Sequence, residues 1–344
     1  MTKGLKSTLA FCEIMVDRTI HNIDDILSRI NTHPEYSSRV RIEIVRSIRD
    51  EATRHSYAIE KENGKEYNSD HISPKAYQER TRQVVAQLNN ASDYIGRYGL
   101  NFSTLAALGN LVEPEGHTYR DFRRVEVVIG TVQPPATEKV PYLMKNLANF
   151  LENTTFHPIL RAIQTHIEIT RIHPYEDGNG RVSRLVQNFC LQEKNYPATI
   201  ITPTEKELYF TLLRNTLRDR MESSSSLEKP STHEQAFQQY IVTKVLESTK
   251  HLEQELLKRR MYQVTLEGTK LEQGLIIQIA KQLKGFGKST PCEHFEVRIK
   301  KNQEKEGILD VMGDISQENL LNLIHNGLKK KYKIDVTVDV KDNL

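Results

Sequence analysis

The stretch IHPYEDGNGRVSR, Ile172 to Arg184, lies between two helical runs, and its reading decides how the rest of the chain is understood. Before it, Pro158 to Ile172 carries apolar residues at helical spacing; after it, Val182, Leu185, Val186, Phe189 and Cys190 do the same. The Asp177-Gly178-Asn179-Gly180 core therefore joins two apolar helices and opens the second. The first amides of a helix lack internal partners and the helix dipole favours negative charge, so glycines at this point make an anion site. Arg181 and Arg184, three residues apart, share one side of the new helix and suit a polyphosphate. Asp177 offers a hard oxygen to Mg²⁺, which takes one or two carboxylates plus substrate phosphates. His173 is a candidate general base at neutral pH. Singly, a His-Pro is a turn and a Gly-x-Gly is weak. Together, base, metal ligand, amide cradle and cation clamp describe phosphoryl or nucleotidyl transfer.

Working outward, residues 8 to 98 read as helical, with Leu9, Cys12, Ile14, Ile20, Ile23, Ile26, Leu27 and Ile30 at three- and four-residue steps and a second run ending at Glu60. KENGKEYNSD, residues 61–70, breaks that pattern, and Ser73-Pro74 starts a third helix reaching Tyr98-Gly99. In YRDFRRVEVVIGTVQPP the alternation of Val125, Val127 and Ile129 predicts a short strand or hairpin. Helices return at Val140 to Glu152, after Thr202-Pro203, where Thr202 is a candidate N-cap, and from about 232 to 262. The serine-rich segment 222–231 reads as an exposed loop. From about 265 a helical run, two alternating strands, a helix and a last strand predict a small α+β unit. GFGKST, residues 285–290, fails as a phosphate loop because Gln282 takes the first glycine's place and the segment follows a helix.

A chain of 344 residues predicts about two to three units of ~100–200 residues. We divide it at 1–98, 99–262 and 263–344. Lys and Arg number 48 against 45 Asp and Glu, a net charge of +3, which gives no strong nucleic-acid signal; the last unit, with 14 against 12 from Arg260 onward, gives none either. Three scattered cysteines make neither a disulfide framework nor a zinc cluster and fit a reducing cytoplasm. No window approaches the ~18 apolar residues of a membrane span, which predicts a soluble, cytoplasmic protein with no membrane contact.

The string HPYEDGNGR followed by VSR resembles the signature of Fic domain proteins, H-x-F-x-D/E-G-N-G-R-x-x-R, with Tyr175 where the family usually has Phe. The likeness extends over roughly residues 30 to 220, including the helix before the motif and, in residues 116–147, the flap with the helix after it. It implies a mainly α fold: a Fic-type helical core with a short β-hairpin flap, here followed by the small α+β domain. It also implies AMP transfer from ATP to a protein hydroxyl with release of pyrophosphate. On that resemblance His173 takes the proton of the target Ser, Thr or Tyr, and Asp177 holds Mg²⁺ against the phosphates. Gly178, Asn179 and Gly180 stabilise their charge, and Arg181 and Arg184 clamp them. Val128, Ile129, Gly130, Thr131 and Val132 align the target backbone by edge pairing. Tyr209 stands where the family places an adenine contact and reads equally as core; Leu217 replaces the asparagine of relatives.

Many family members carry an inhibitory helix with the pattern S/T-x-x-x-E-G/N. SYAIEK supplies Ser56 and Glu60, with Lys61 where Gly or Asn is usual. The resemblance therefore implies a class with an N-terminal brake, in which Glu60 neutralises Arg184 and misaligns ATP. The expected function is a protein adenylyltransferase acting on a target protein or on itself, with ATP and Mg²⁺ and with a homo-oligomer left open. Two alternatives stand beside it: a non-catalytic nucleotide- or anion-binding interaction module, and a kinase-like phosphotransferase on the same fold.

Overall fold

The computed structural model describes residues 3–32, 38–61, 74–130, 132–222, 230–258, 260–268, 271–287, 295–313, 315–325, 332 and 334–340. Thr131 of the expected flap and most of the serine-rich loop, 223–229, lie outside the described residues. The chain divides into two compact units, Met1–Leu27 with Glu43–Lys250, and Ser28–Ile42 with His251–Leu344.

The first unit is helical. Helices α1 (Lys3–Thr32), α2 (Ser38–Lys61) and α3 (Pro74–Tyr98) follow the predicted periodicity, and Gly99 ends α3 in the left-handed conformation (φ 75°) that glycine adopts without a Cβ clash. On α2 the buried stripe is Ile44, Ile48, Ala52, Ser56 and Ile59; Ile14 of α1, counted in its apolar stripe, is 63% exposed. Helix α4 (Phe102–Val112) was not expected. It starts on a capping box, in which the Asn101 side chain accepts from the Thr104 amide at 3.1 Å and Thr104 Oγ1 accepts from the Asn101 amide at 2.8 Å. Helices α5 (Val140–Asn153), α6 (Pro158–Ile172), α7 (Asn179–Glu193), α8 (Lys206–Glu222) and α9 (Thr232–Lys258) complete the unit, except that the end of α1, the start of α2 and the end of α9 fall in the second. Thr202 and Glu205 form a capping box on the short 3₁₀ turn that leads into α8.

The central pair is α6 against α7. Ile159, Ala162, Ile163, Ile167 and Ile169 of α6 and Val182, Val186, Cys190 and Leu191 of α7 are fully buried. The first turn of α9 locks onto α6 and α8: buried Glu234 accepts from Gln164 of α6 at 2.8 Å and from Arg220 of α8 at 2.5 Å. Packing is close where α4 meets the motif. A Cβ on Gly109 would lie 2.6 Å from the Tyr175 ring, and the Tyr175 hydroxyl donates to the Leu105 carbonyl at 2.5 Å. Gly109→Ala should therefore destabilise the fold by about 1–3 kcal/mol, although alanine alone favours a helix by ~1 kcal/mol. Denaturant unfolding checks this; a stabilised variant would mean that the ring shifts freely.

Two expectations are corrected. The flap is narrower than the alternation suggested: Val125 and Val127 lie in no strand, and one antiparallel bridge joins Ile129 to Val132 around Gly130 (φ 58°). The helix expected to run to about 262 stops at Lys258, and Arg260–Glu267 forms strand β1, whose Tyr262, Val264 and Leu266 are fully buried.

In the second unit β1 is followed by α10 (Gln273–Gly287), β2 (Phe295–Gln303), β3 (Glu306–Gly313), α11 (Gln317–Ile324) and β4 (Asp335–Val340). The strand order is β2-β3-β1-β4 with every neighbour antiparallel, and the β-α-β-β-α-β succession is the ferredoxin-like arrangement. Tyr262 pairs with Val311 and Val264 with Leu309; these residues pack with Ile276, Ile279 and Leu283 of α10 and Leu320 and Ile324 of α11. The GFG of the rejected phosphate loop, residues 285–287, is the last turn of α10.

Candidate active site

His173 ends α6 in the left-handed conformation, φ 50° and ψ 60°, with its amide donating to Ile169 O at 2.9 Å. A non-glycine residue held there costs about 1–3 kcal/mol and persists only where its surroundings enforce it. Arg123 enforces it. Its Nε donates to the His173 carbonyl at 2.7 Å and its amide to Pro174 O at 2.8 Å, while Nη1 and Nη2 donate to Val125 O at 3.0 Å and Pro135 O at 2.6 Å. One buried guanidinium thus ties both ends of the flap to the His173 turn. His173 Nδ1 lies 3.4 Å from the Thr170 carbonyl, which can only accept, so Nδ1 carries the proton and Nε2 keeps its lone pair. Burial lowers the imidazole pKa to about 4; the Thr170 carbonyl works against this, Arg123 adds to it and Asp177 opposes it. The ring is neutral at pH 7.

The motif loop is held by its own side chains. Asn179 accepts from the Tyr175 amide at 3.0 Å and donates to the Tyr175 carbonyl at 2.8 Å, so its amide group closes the loop. Gly178, the N-cap of α7, has φ 76°, which glycine adopts without strain, and its N–H donates to Asp177 Oδ1 at 2.5 Å. The amides of the first turn of α7 remain directed along the axis toward the loop.

Against that turn sits Glu60. A Cβ on Gly180 would meet Glu60 Oε1 at 2.6 Å, so only glycine lets the carboxylate come this close. Glu60 Oε2 contacts Arg181 Nε at 2.7 Å, and Glu60 Oε1 accepts from Arg184 Nη2 at 2.6 Å. Arg184 also donates from Nε to Ser56 Oγ at 2.8 Å, from Nη2 to Ser56 O at 3.0 Å and from Nη1 to Tyr209 Oη at 3.3 Å. Arg181 is further paired with Glu113 at 2.5 Å, and Arg80 approaches Glu113 at 3.3 Å. Burial works against the Arg181 charge, but Glu60, Glu113 and Asp177 outweigh it and hold its pKa above the ordinary value. The resemblance placed Glu60 on Arg184; the structure adds its second oxygen on Arg181.

A cavity of about 340 Å³ brings together Glu60, His173, Gly180, the flap residues Ile129, Gly130 and Val132, and Tyr209, Leu213 and Leu217 of α8. Val128 is 63% exposed and outside the cavity lining. Asp177 stands beside the anion cradle, 3.6 Å from Arg181, with its side chain 42% exposed. Arg123, Glu113 and His166 escaped the sequence reading: each is a polar group buried through contacts distant in the chain, and no local spacing marks it.

Residues 99–191 match the sequence model of the Fic/DOC family. The protein adenylyltransferase Fic of Aedes aegypti is 32% identical over 136 residues, 39% of this chain and 27% of that protein; the Drosophila melanogaster protein of the same name is 35% identical over 97 residues, 27% and 20% respectively. The chain spans about a quarter of the length of the first of these curated relatives. Among solved structures, a Fic domain containing signaling protein from Bacteroides thetaiotaomicron superposes with a TM-score of 0.55 at 19% identity, over 69% of this chain and 97% of that one. A segment of Fic-1 from C. elegans gives 0.56 at 18% identity, over 72% and 74%. At such identities the likeness is one of fold, and it agrees with the motif in one conclusion: residues 99–191 of this chain are a Fic domain.

Proposed function

We propose that the chain is a protein adenylyltransferase that moves AMP from ATP to a Ser, Thr or Tyr hydroxyl of a target protein or of itself, and that Glu60 restrains it. One observation carries the reading: the Glu60 carboxylate is seated between two arginines at the N-terminus of α7, in the same cavity as a neutral His173. An anion site beside a base is already filled by the chain's own anion.

In the reaction His173 Nε2 takes the proton of the target hydroxyl as its oxygen attacks the α-phosphorus. The bond from the α-phosphorus to its bridging oxygen breaks, and pyrophosphate leaves. Free amides of the first turn of α7 lie where charge grows on the phosphates, a preorganised contribution of the oxyanion-hole kind. Arg184 and Arg181 hold the outer phosphates once Glu60 withdraws. Asp177 fits Mg²⁺ because a single half-exposed carboxylate beside a phosphate cradle suits a cation that takes most of its ligands from phosphate and water; bound there, the ion would neutralise phosphate charge. The flap edge around Ile129 and Val132 aligns the target backbone. Among the described residues no helix is long and apolar enough to cross a membrane, and we assign the protein to the cytoplasm on its cysteine usage. The ferredoxin-like unit serves target docking or self-association.

Incubation of the purified chain with α-labelled ATP, Mg²⁺ and a lysate tests the reading. Label on the chain or on a lysate protein is expected; label moving from γ-labelled ATP instead would make it a phosphotransferase. The pH profile is a second check. A base lowered to about 4 stays unprotonated, so kcat/KM for ATP should hold from pH 8 down to about 5 and fall only toward pH 4. A limb centred near 6.5 would mean an ordinary exposed histidine. Melting curves accompany the profile, because His173 and His166 are both depressed in the fold, to about 4 and about 3. Their contribution to stability is complete above ~6.5 and is lost as pH falls through those values.

A further inference from the structure

The hydrogen bonds of Arg184 fall into two sets. Those from Nε and Nη2 run to Ser56 and Glu60 on α2, the restraining helix. The bond from Nη1 runs to the Tyr209 hydroxyl on α8 at 3.3 Å. Among the described residues, Tyr209 is the hydrogen-bond partner of Arg184 that does not belong to α2.

Behind Tyr209 lies a file of buried side chains whose donor directions can be read from its far end. The Thr199 amide donates to Asn188 Oδ1 at 2.9 Å and the Thr199 carbonyl accepts from Asn188 Nδ2 at 3.4 Å, which fixes that side-chain amide. The Thr199 hydroxyl also donates to Asn188 Oδ1, at 2.8 Å, so its oxygen accepts from Gln187 Nε2 at 2.7 Å. Gln187 then turns Oε1 toward His166 Nδ1 at 2.7 Å, where only an N–H fits. Burial, aided by the nearby Arg184 charge, keeps the His166 ring neutral, so Nε2 is an acceptor. The Tyr209 hydroxyl, 3.0 Å from Nε2, therefore donates to His166 and presents its oxygen to Arg184. From Tyr209 through His166 and Gln187 to the Thr199 hydroxyl, each side-chain donor points away from the guanidinium, and bonds aligned in this way polarise one another.

We infer that the Tyr209 hydroxyl, oriented by His166 and Gln187, is the anchor that keeps the Arg184 guanidinium at the phosphate site after Glu60 and Ser56 withdraw. Tyr209 and His166 are positioning residues: they act through Arg184. The inference rests on the adenylyl-transfer reading for its consequence in catalysis, while the anchor itself is read by binding. It also separates the hydroxyl from the ring. An adenine contact, core packing and the guanidinium over the ring at 5.8 Å all survive in phenylalanine; the anchor does not.

The test takes the full chain carrying Glu60→Gly as reference and adds Tyr209→Phe. ATP dissociation with Mg²⁺ should weaken about tenfold and kcat/KM for ATP should fall by about as much, the scale of a lost hydrogen bond to a charged group. ATP binding within twofold of the reference would overturn the anchor. A second measurement needs no change in the file: the ¹⁵N spectrum of His166 in the unsubstituted chain should show Nδ1 protonated and Nε2 bare at pH 7. An Nε2–H signal would overturn it. If the reference transfers no AMP, the adenylyltransferase reading falls, and ATP binding and the imidazole spectrum still decide the anchor.

Discussion

Glu60→Gly should raise AMP transfer about 10²-fold, the scale of correcting a misplaced reacting group. The carboxylate occupies the volume above Gly180, accepts a hydrogen bond from Arg184 and lies in ion-pair contact with Arg181, so on this account ATP competes with Glu60 for the same cations. Removing it leaves Arg184 with Ser56 and Tyr209 and leaves Arg181 held by Glu113. Arg181 therefore keeps a carboxylate partner in both states, and the larger change in charge falls on Arg184. A phosphate can then take the place of the carboxylate on Nη2. ATP affinity should rise together with transfer, because two buried positive charges gain room for an anion. Measured initial rates of self-labelling give the comparison; an unchanged rate would reduce Glu60 to a structural carboxylate.

His173→Ala should lower transfer by about 10²–10⁴-fold, the range for loss of a positioned base. ATP binding should change by less than about threefold, since the arginines and the α7 amides do not depend on the imidazole. The backbone argument supports a selective effect. His173 is held through its carbonyl by Arg123, a bond that alanine keeps, so the loop geometry survives the substitution. Residual labelling at the parent rate would assign the proton to another group.

The motif residues were legible because their chemistry is local: a loop, a helix start and two arginines one turn apart. Glu60 could be placed on Arg184 through the resemblance; that Ser56, four residues earlier on the same helix face, also reaches Arg184 came from the structure. The flap was over-read, because Val125 and Val127 alternate like a strand while the Arg123 guanidinium, not a neighbouring strand, takes the carbonyls of Val125 and Pro135. Helix α4 was passed over because FSTLAALGNLV is apolar on most sides and shows no stripe, although its capping box stood in the sequence. Strand β1 was absorbed into α9 because the apolar residues of the helix run on into Met261 and Tyr262 without a turn residue between. Glu113 and Arg123 were out of reach, since charged residues are rarely buried and only partners 50 to 68 residues away explain them.

The central claim is that one anion site serves two occupants, Glu60 and ATP phosphate, next to one base. Transfer of α-label from ATP should be measured side by side for the parent chain, Glu60→Gly, and Glu60→Gly with His173→Ala. The account predicts weak label, strong label and none. Equal label in all three, or label undiminished by the loss of His173, would contradict it.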